Sequence, residues 1–394
     1  MESRNIEKMQ SIMRGIIQRI KVSAMAGIYI HIPFCKSKCR YCDFTSYPGK
    51  IGFAEAYMAC VYKEMKLRAA ELHDKVFDTV YFGGGAPSVI DEKLIAGCMN
   101  QIRKCYLLAE GAEVTVEVNP GTVTKVKIDA YKRAGINRFS VGLQTAVDSQ
   151  LEEIGRVHTA ADFVEACKLI GRANFSADIM IGLKGQTFAD VEKSVRLVKQ
   201  CGAKHISMYA LTPEDGTPIY SDYLNGELPD ADEVADLYAG AYRLLESLGY
   251  KRYEVSNFAV PGYESRHNLN YWRRGEYIGF GVAASSFMKG RRFTNTRDLD
   301  DYIKCILTDH YPVVDNEEIS KEDAKFEKVM LALRTAEGLD EAEYKKEFGS
   351  EFYRDFEDAI KKNIRFLEKT EKGRIRIKDE YLYVQNQILV DFLQ

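Results

Sequence analysis

The sequence predicts an α/β chain: an open barrel of six βα units, followed by a smaller α-rich domain of winged-helix-like order. Three observations carry that expectation. From Gly27 onward, short apolar runs recur as candidate strands: "GIYIHIPF", "FDTVYFGGG", "EVTVEVNP", "RFSVGLQ", "SADIMIGL" and "HISMYALT". Between them, segments 51–74, 90–108, 122–134, 160–172 and 187–201 space their apolar residues at helical intervals, the alternation that builds a parallel sheet. Right-handed crossovers then curl six such units into an open barrel, whose active residues sit at the carboxyl ends of the strands.

After about residue 215 the rhythm fades into the turn-rich "EDGTPIYSDYLNGELPD", a helix near 231–248 and the stretch "YEVSNFAVPGYESRHNLNYW". The tail is read as helices at about 320–334 and 352–369, a hairpin in "RIRIKDEYLYV" and a last helix. The expected organisation is therefore an N-terminal extension (1–24), a barrel core (25–215), a linker region holding "HNLNYW" (216–312) and the C-terminal domain (313–394). In the extension, Ile6, Met9, Met13, Ile16, Ile17 and Ile20 lie at helical spacing among basic residues. Such a helix suits transient membrane association, but the expectation is a loose extension upstream of a start at Met25.

Composition bounds the function. The 394 residues carry 55 Lys and Arg against 58 Asp and Glu, a net charge of −3, so no basic excess points to nucleic acid. No apolar stretch approaches the roughly 20 residues of a membrane span, and no leader pattern is visible, which gives a cytoplasmic expectation. Cys60, Cys98, Cys105, Cys167, Cys201 and Cys305 are scattered singly and read as reduced thiols.

The chemistry concentrates in "HIPFCKSKCRYCDF", where Cys35, Cys39 and Cys42 follow a strand at Cys-x3-Cys-x2-Cys spacing. Thiolates so close suit zinc or an iron–sulfur cluster. A zinc site needs a fourth ligand, with His31 the nearest candidate, whereas a cubane on three thiolates keeps one iron open. "YFGGGAPS" ends the second strand with three glycines, which let backbone N–H groups approach a ligand carboxylate; it is neither a phosphate-binding loop nor a full dinucleotide fingerprint. In "HNLNYW", His267 can ligate a metal, and Tyr271 and Trp272 can stack on a flat ring. The competing reading is a hydrogen-bonded structural knot. His31, His158 and His205 lie on barrel segments and are taken as structural.

"YIHIPFCKSKCRYCDF" resembles the signature of radical S-adenosylmethionine enzymes, which implies a 4Fe-4S cluster on Cys35, Cys39 and Cys42 with S-adenosylmethionine on the open iron. "TVEVNPGTV", "RFSVGLQTAVDSQLEEIGRVHTA", "ADIMIGLKGQT" and "HISMYALTPEDGTPIY" extend the resemblance to the coproporphyrinogen dehydrogenase branch. That likeness implies cofactor contacts at Gly84, Gly85, Ala86, Glu117, Gln144, Arg156, Asp178 and Ala210, with Tyr29 and Tyr41 beside the cluster. Oxidases of the branch carry a further cysteine two residues after the third; here that position is Phe44. "YCDF" and "RHNLNYW" are instead similar to the haem chaperone group. The likeness implies haem as cargo, met by His267, Asn268, Tyr271 and Trp272, with haem-requiring respiratory proteins as recipients and a cluster that supports dimerisation or transfer. The alternative is an oxygen-independent coproporphyrinogen III oxidase forming protoporphyrinogen IX.

Overall fold

The computed structural model describes residues 26–393; the basic helical pattern of residues 1–24 lies outside them. Six parallel strands, β1 (Ala26–Ile32), β2 (Val76–Gly84), β3 (Leu107–Val118), β4 (Arg138–Gln144), β5 (Asn174–Ile181) and β6 (His205–Ala210), lie side by side in chain order. Between them run α1 (Ala54–Arg68), α2 (Glu92–Cys105), α3 (Lys125–Ala134), α4 (Asp148–Glu153), α5 (Ala160–Ile170) and α6 (Phe188–Cys201). Local chemistry sets the helix ends. Thr159 with Asp162 and Thr187 with Asp190 form capping boxes that open α5 and α6. Gly135 and Gly202 close α3 and α6 in the left-handed conformation that a side chain resists.

The strands alternate. Ile28, Ile30, Val80, Phe82, Val116, Val118, Val141, Ile179 and Ile206 are fully or almost fully buried in the main apolar core. Their neighbours in sequence, among them Thr79, Tyr81, Glu117, Arg138, Ser140, Asp178 and Ser207, fall on the other face of the sheet. The barrel interior is therefore polar, and the apolar face lies under the helices.

Residues 216–312 do more than link. Within the segment read as turn-rich, α7 (Pro218–Leu224) forms, and α8 (Ala231–Ser247) follows. Then β7 (Lys251–Arg252) and β8 (Asn257–Ala259) extend the β6 edge antiparallel. Past α9 (Arg266–Trp272), β9 (Tyr277–Phe280) pairs parallel with β1 at the opposite edge, and β10 (Ser285–Met288), β11 (Arg291–Asn295) and β12 (Val313–Glu318) continue it antiparallel into a 12-stranded sheet. These strands are short, which is why no repeating pattern announces them. Before β12, α10 (Leu299–Leu307) packs on α1.

The C-terminal region has a separate core around Leu333, Tyr344, Phe352, Phe356, Ile377 and Phe392. Its first helix, α11 (Lys321–Leu333), matches expectation, but the 352–369 segment breaks at Phe356 into Phe352–Asp355 and Glu357–Asn363. The hairpin also falls earlier than expected, pairing Leu367–Lys369 with Ile375–Ile377. Thr370 and Gly373 close its turn, Gly373 at φ +76°, and Asp379–Val384 becomes a 3-10 helix whose Asp379 is drawn to Arg252 of β7. Among the described residues, no helix is long and apolar enough to cross a membrane.

One buried ionic knot ties α1 to the extra strands. Glu64, with no exposed surface, accepts from Tyr302 Oη (2.7 Å), Asn295 Nδ2 (2.8 Å) and the Gly281 N–H (2.9 Å), beside the Arg68 guanidinium at 3.6 Å. Replacing Glu64 by Leu leaves a buried arginine without its carboxylate. The expected loss is about 3–5 kcal/mol of stability, read from the denaturant midpoint of the full chain.

Candidate functional site

The loop after β1 carries the three cysteines and is fixed at both ends. A two-residue pairing of Phe34–Cys35 with Tyr47–Pro48 closes its base, and His31 Nε2 meets the Thr45 carbonyl at 2.9 Å. Arg40 pins its crown, donating to the Glu153 carbonyl (3.1 Å) and to Asp222 of α7 (2.8 Å). The glycine turn after β2 lies directly against this loop: the Gly85 N–H donates to Ile32 O (2.9 Å) and the Ala86 N–H to Phe34 O (2.8 Å). A Cβ on Gly85 would stand 2.8 Å from Phe34 O, and one on Gly84 would stand 2.6 Å from the His31 ring. Only glycine allows that approach.

Behind the loop opens a cavity of about 340 Å³. Its wall brings together Cys35, Cys39, Cys42, Tyr41, Gly84, Gly85, Ala86, Glu117, Gln144, Arg156 and Asp178, every expected site residue of the barrel save two. Tyr29 faces a neighbouring cavity instead, and Ala210 is exposed at the end of β6 just beyond the wall residue Tyr209. The wall also holds residues that motif reading passed over: Arg138, Ser140, Ser207 and Tyr209. Their signal was present. Ser140 and Ser207 stand in register with Glu117 and Asp178 on the neighbouring strands, and Arg138 and Tyr209 lie two residues from them on the same face.

The electrostatics follow from burial. Glu117 accepts from Tyr81 Oη at 2.8 Å, yet loss of solvent, reinforced by the Asp178 charge, pushes its carboxyl up to about 7. Burial likewise raises Asp178 to about 6, against the pull of Ser207, Arg138 and Ser140. Arg156 is held by Asn119 Oδ1 (2.8 Å) and the Gly142 carbonyl (3.1 Å), and donates toward Cys39 Sγ at 3.7 Å. Gln144, at φ +70°, turns the chain where β4 meets the rim.

This donor set fits an iron–sulfur cluster. The cysteines are free and half-buried, and burial pushes the Cys35 thiol up to about 11, so loading requires proton release. All three line one wall of the cavity, where three thiolates in one loop are the donor type such a cluster takes. His31, the candidate fourth zinc ligand, spends its other nitrogen on Tyr29 Oη (3.0 Å), and burial lowers it to about 4.

The "HNLNYW" residues divide. His267 is buried against Tyr81, ring centroids 5.1 Å apart, with Nδ1 at 2.7 Å from Thr79 Oγ1 and Nε2 at 2.8 Å from Tyr271 Oη. Burial lowers it to about 3, and in this conformation neither ring nitrogen is free. Asn268 reaches the cysteine-lined cavity, Tyr271 lines the neighbouring one, and Trp272 bonds the buried Glu254.

Residues 29–198 match the family profile of the Radical SAM superfamily, and residues 319–387 that of the HemN C-terminal domain. The chain is 34% identical over 369 residues to the heme chaperone HemW of Bacillus subtilis, covering 92% of this chain and 96% of that one. It is 36% identical over 281 residues to the HemW of Escherichia coli, covering 69% and 74%. The solved coproporphyrinogen III oxidase of Escherichia coli shares the fold at a TM-score of 0.83 and 18% identity, covering 94% of this chain and 90% of that one.

The raised carboxyls make a pH prediction. A carboxyl raised on folding favours the folded state below its unfolded value and loses that benefit as pH climbs through the folded value. The unloaded chain should therefore lose stability from Glu117 between about 4.5 and about 7, and Glu117→Gln should remove that part of the slope in thermal unfolding across the same window. An unchanged slope would contradict the burial-driven shift.

Proposed function

The chain belongs to the haem chaperone HemW family of the radical S-adenosylmethionine superfamily, and from that premise we propose that it binds haem and passes it to haem-requiring respiratory proteins, acting in the cytoplasm. The carrying observation is kinship with curated haem chaperones along 92% of the chain. Phe44 supports it. At the position where the oxidases of the branch carry a further cysteine, this ring stands 65% exposed at the cavity mouth and supplies no thiol.

In this reading Cys35, Cys39 and Cys42 hold a 4Fe-4S cluster, and the adjoining cavity takes S-adenosylmethionine. When bound, the cluster supplies an electron to the cofactor's sulfonium. The chain's own residues bind and orient. The Gly84–Ala86 turn offers unobstructed backbone, Glu117 and Asp178 accept from hydroxyls or an ammonium, and Arg156 meets a carboxylate without leaving Asn119. Tyr41 and Gln144 shape the wall, and Tyr29 and the Ala210 backbone act from its margins. His267 holds α9 in place through Thr79 and Tyr271, and Tyr271 is the side chain of this stretch that lines the neighbouring cavity and meets haem there.

The test uses anaerobically reconstituted full chain. With coproporphyrinogen III, S-adenosylmethionine and a reductant, no protoporphyrinogen should form by chromatography. Haem loaded on the chain should move to an apo-haem protein, seen as a shift of the Soret band. Multiple-turnover decarboxylation without haem binding would overturn the reading in favour of the oxidase.

A further inference from the structure

Beside the cysteine-lined cavity, and separated from it by the Tyr29–Tyr81–His267 stack, lies a second cavity of about 450 Å³. Barrel, α9, the β9–β11 strands and α11 of the C-terminal region all contribute to it. Its aromatic and apolar lining comes from Tyr29, Tyr271, Tyr277, Phe287, Met330 and Leu331. Into this surface project two guanidiniums. Arg274 lies 4.7 Å from the Phe287 ring centre and Arg292 5.9 Å from the same centre.

Both arginines share one carboxylate. Arg274 Nε donates to Glu327 Oε2 at 2.8 Å and Arg292 Nη2 to Glu327 Oε1 at 2.6 Å; the next acid, Glu347, stands 3.6 Å from Arg274 Nη1 and is itself paired with Lys328 at 3.2 Å. A guanidinium carries five N–H donors in a fixed fork, so Glu327 leaves most of them unused. Arg292 also has the Tyr277 hydroxyl, yet 39% of its side chain remains exposed. A simple interdomain ion pair needs one arginine; two of them flanking an aromatic slot make a receptor for a flat apolar body with acidic groups along one edge.

Resting on the haem-binding reading above, we infer that this second cavity is the tetrapyrrole seat, with Arg274 and Arg292 holding the propionates while Tyr271 and Phe287 face the macrocycle. The placement gives α9 one purpose at both cavities. Asn268 touches the cofactor side, Tyr271 the tetrapyrrole side, and buried His267 keeps the two in register. Because Glu327 sits on α11, carboxylates arriving at the arginines compete with the ion pairs that join the C-terminal region to the β9–β11 side.

The experiment titrates reconstituted full chain with haem and with haem dimethyl ester, whose acidic edge is blocked, following the Soret band. Wild type should bind haem about tenfold or more tightly than the ester. Arg292→Gln and Arg274→Gln, checked for folding by circular dichroism, should bind haem as weakly as wild type binds the ester. Equal affinity of wild type for the two ligands overturns the inference without any variant, as does a haem preference that survives both substitutions. Haem that fails to bind wild type overturns the inference and the functional reading together.

Discussion

Everything at the barrel mouth depends on a backbone-to-backbone contact between the glycine turn after β2 and the chain leaving β1. The N–H groups of Gly85 and Ala86 are spent on the carbonyls of Ile32 and Phe34, at a separation that excludes a side chain. This contact fixes where the cysteine loop starts. Because β2 also pairs in register with β3 through Phe82 and Val116, it fixes the loop relative to Glu117 as well. Buried backbone polar groups must find partners, and here they find each other rather than water.

A second constraint is the polarity of the barrel interior. Buried parallel strands usually read as continuous apolar runs. These alternate instead, because the inner face must hold charge: Glu117, Asp178, Arg138 and Arg156 all line one cavity. Removal from water raises both carboxyls toward neutrality, so the site can present them protonated or ionised according to what enters. The aromatic stack from Tyr29 through Tyr81 to His267 divides this interior in two. The side holding the thiols is polar, and the side reaching the C-terminal region is aromatic with paired arginines.

The six parallel strands and the helices between them were legible because their periodicities are long and regular, and the thiols because three cysteines in eight residues have few other uses. The edge strands were not: β7 has two residues and β8 three, too few to show an alternation. Arg138, Ser140, Ser207 and Tyr209 escaped motif reading although their strand parity was visible, since nothing in parity alone says which face is inside. The engagement of both His267 nitrogens was hidden for a different reason. Its partner Thr79 lies 188 positions away, on a strand whose proximity to α9 only the assembled sheet creates.

The three thiolates at this mouth are proposed to hold a cluster with one iron left for S-adenosylmethionine. The most direct measurement is the electron paramagnetic resonance spectrum of the anaerobically reconstituted, reduced chain, with and without that cofactor. A cluster signal that changes shape when the cofactor is added, and that Cys39→Ala abolishes, is the predicted result. A signal indifferent to the cofactor, or one that survives Cys39→Ala, would contradict it.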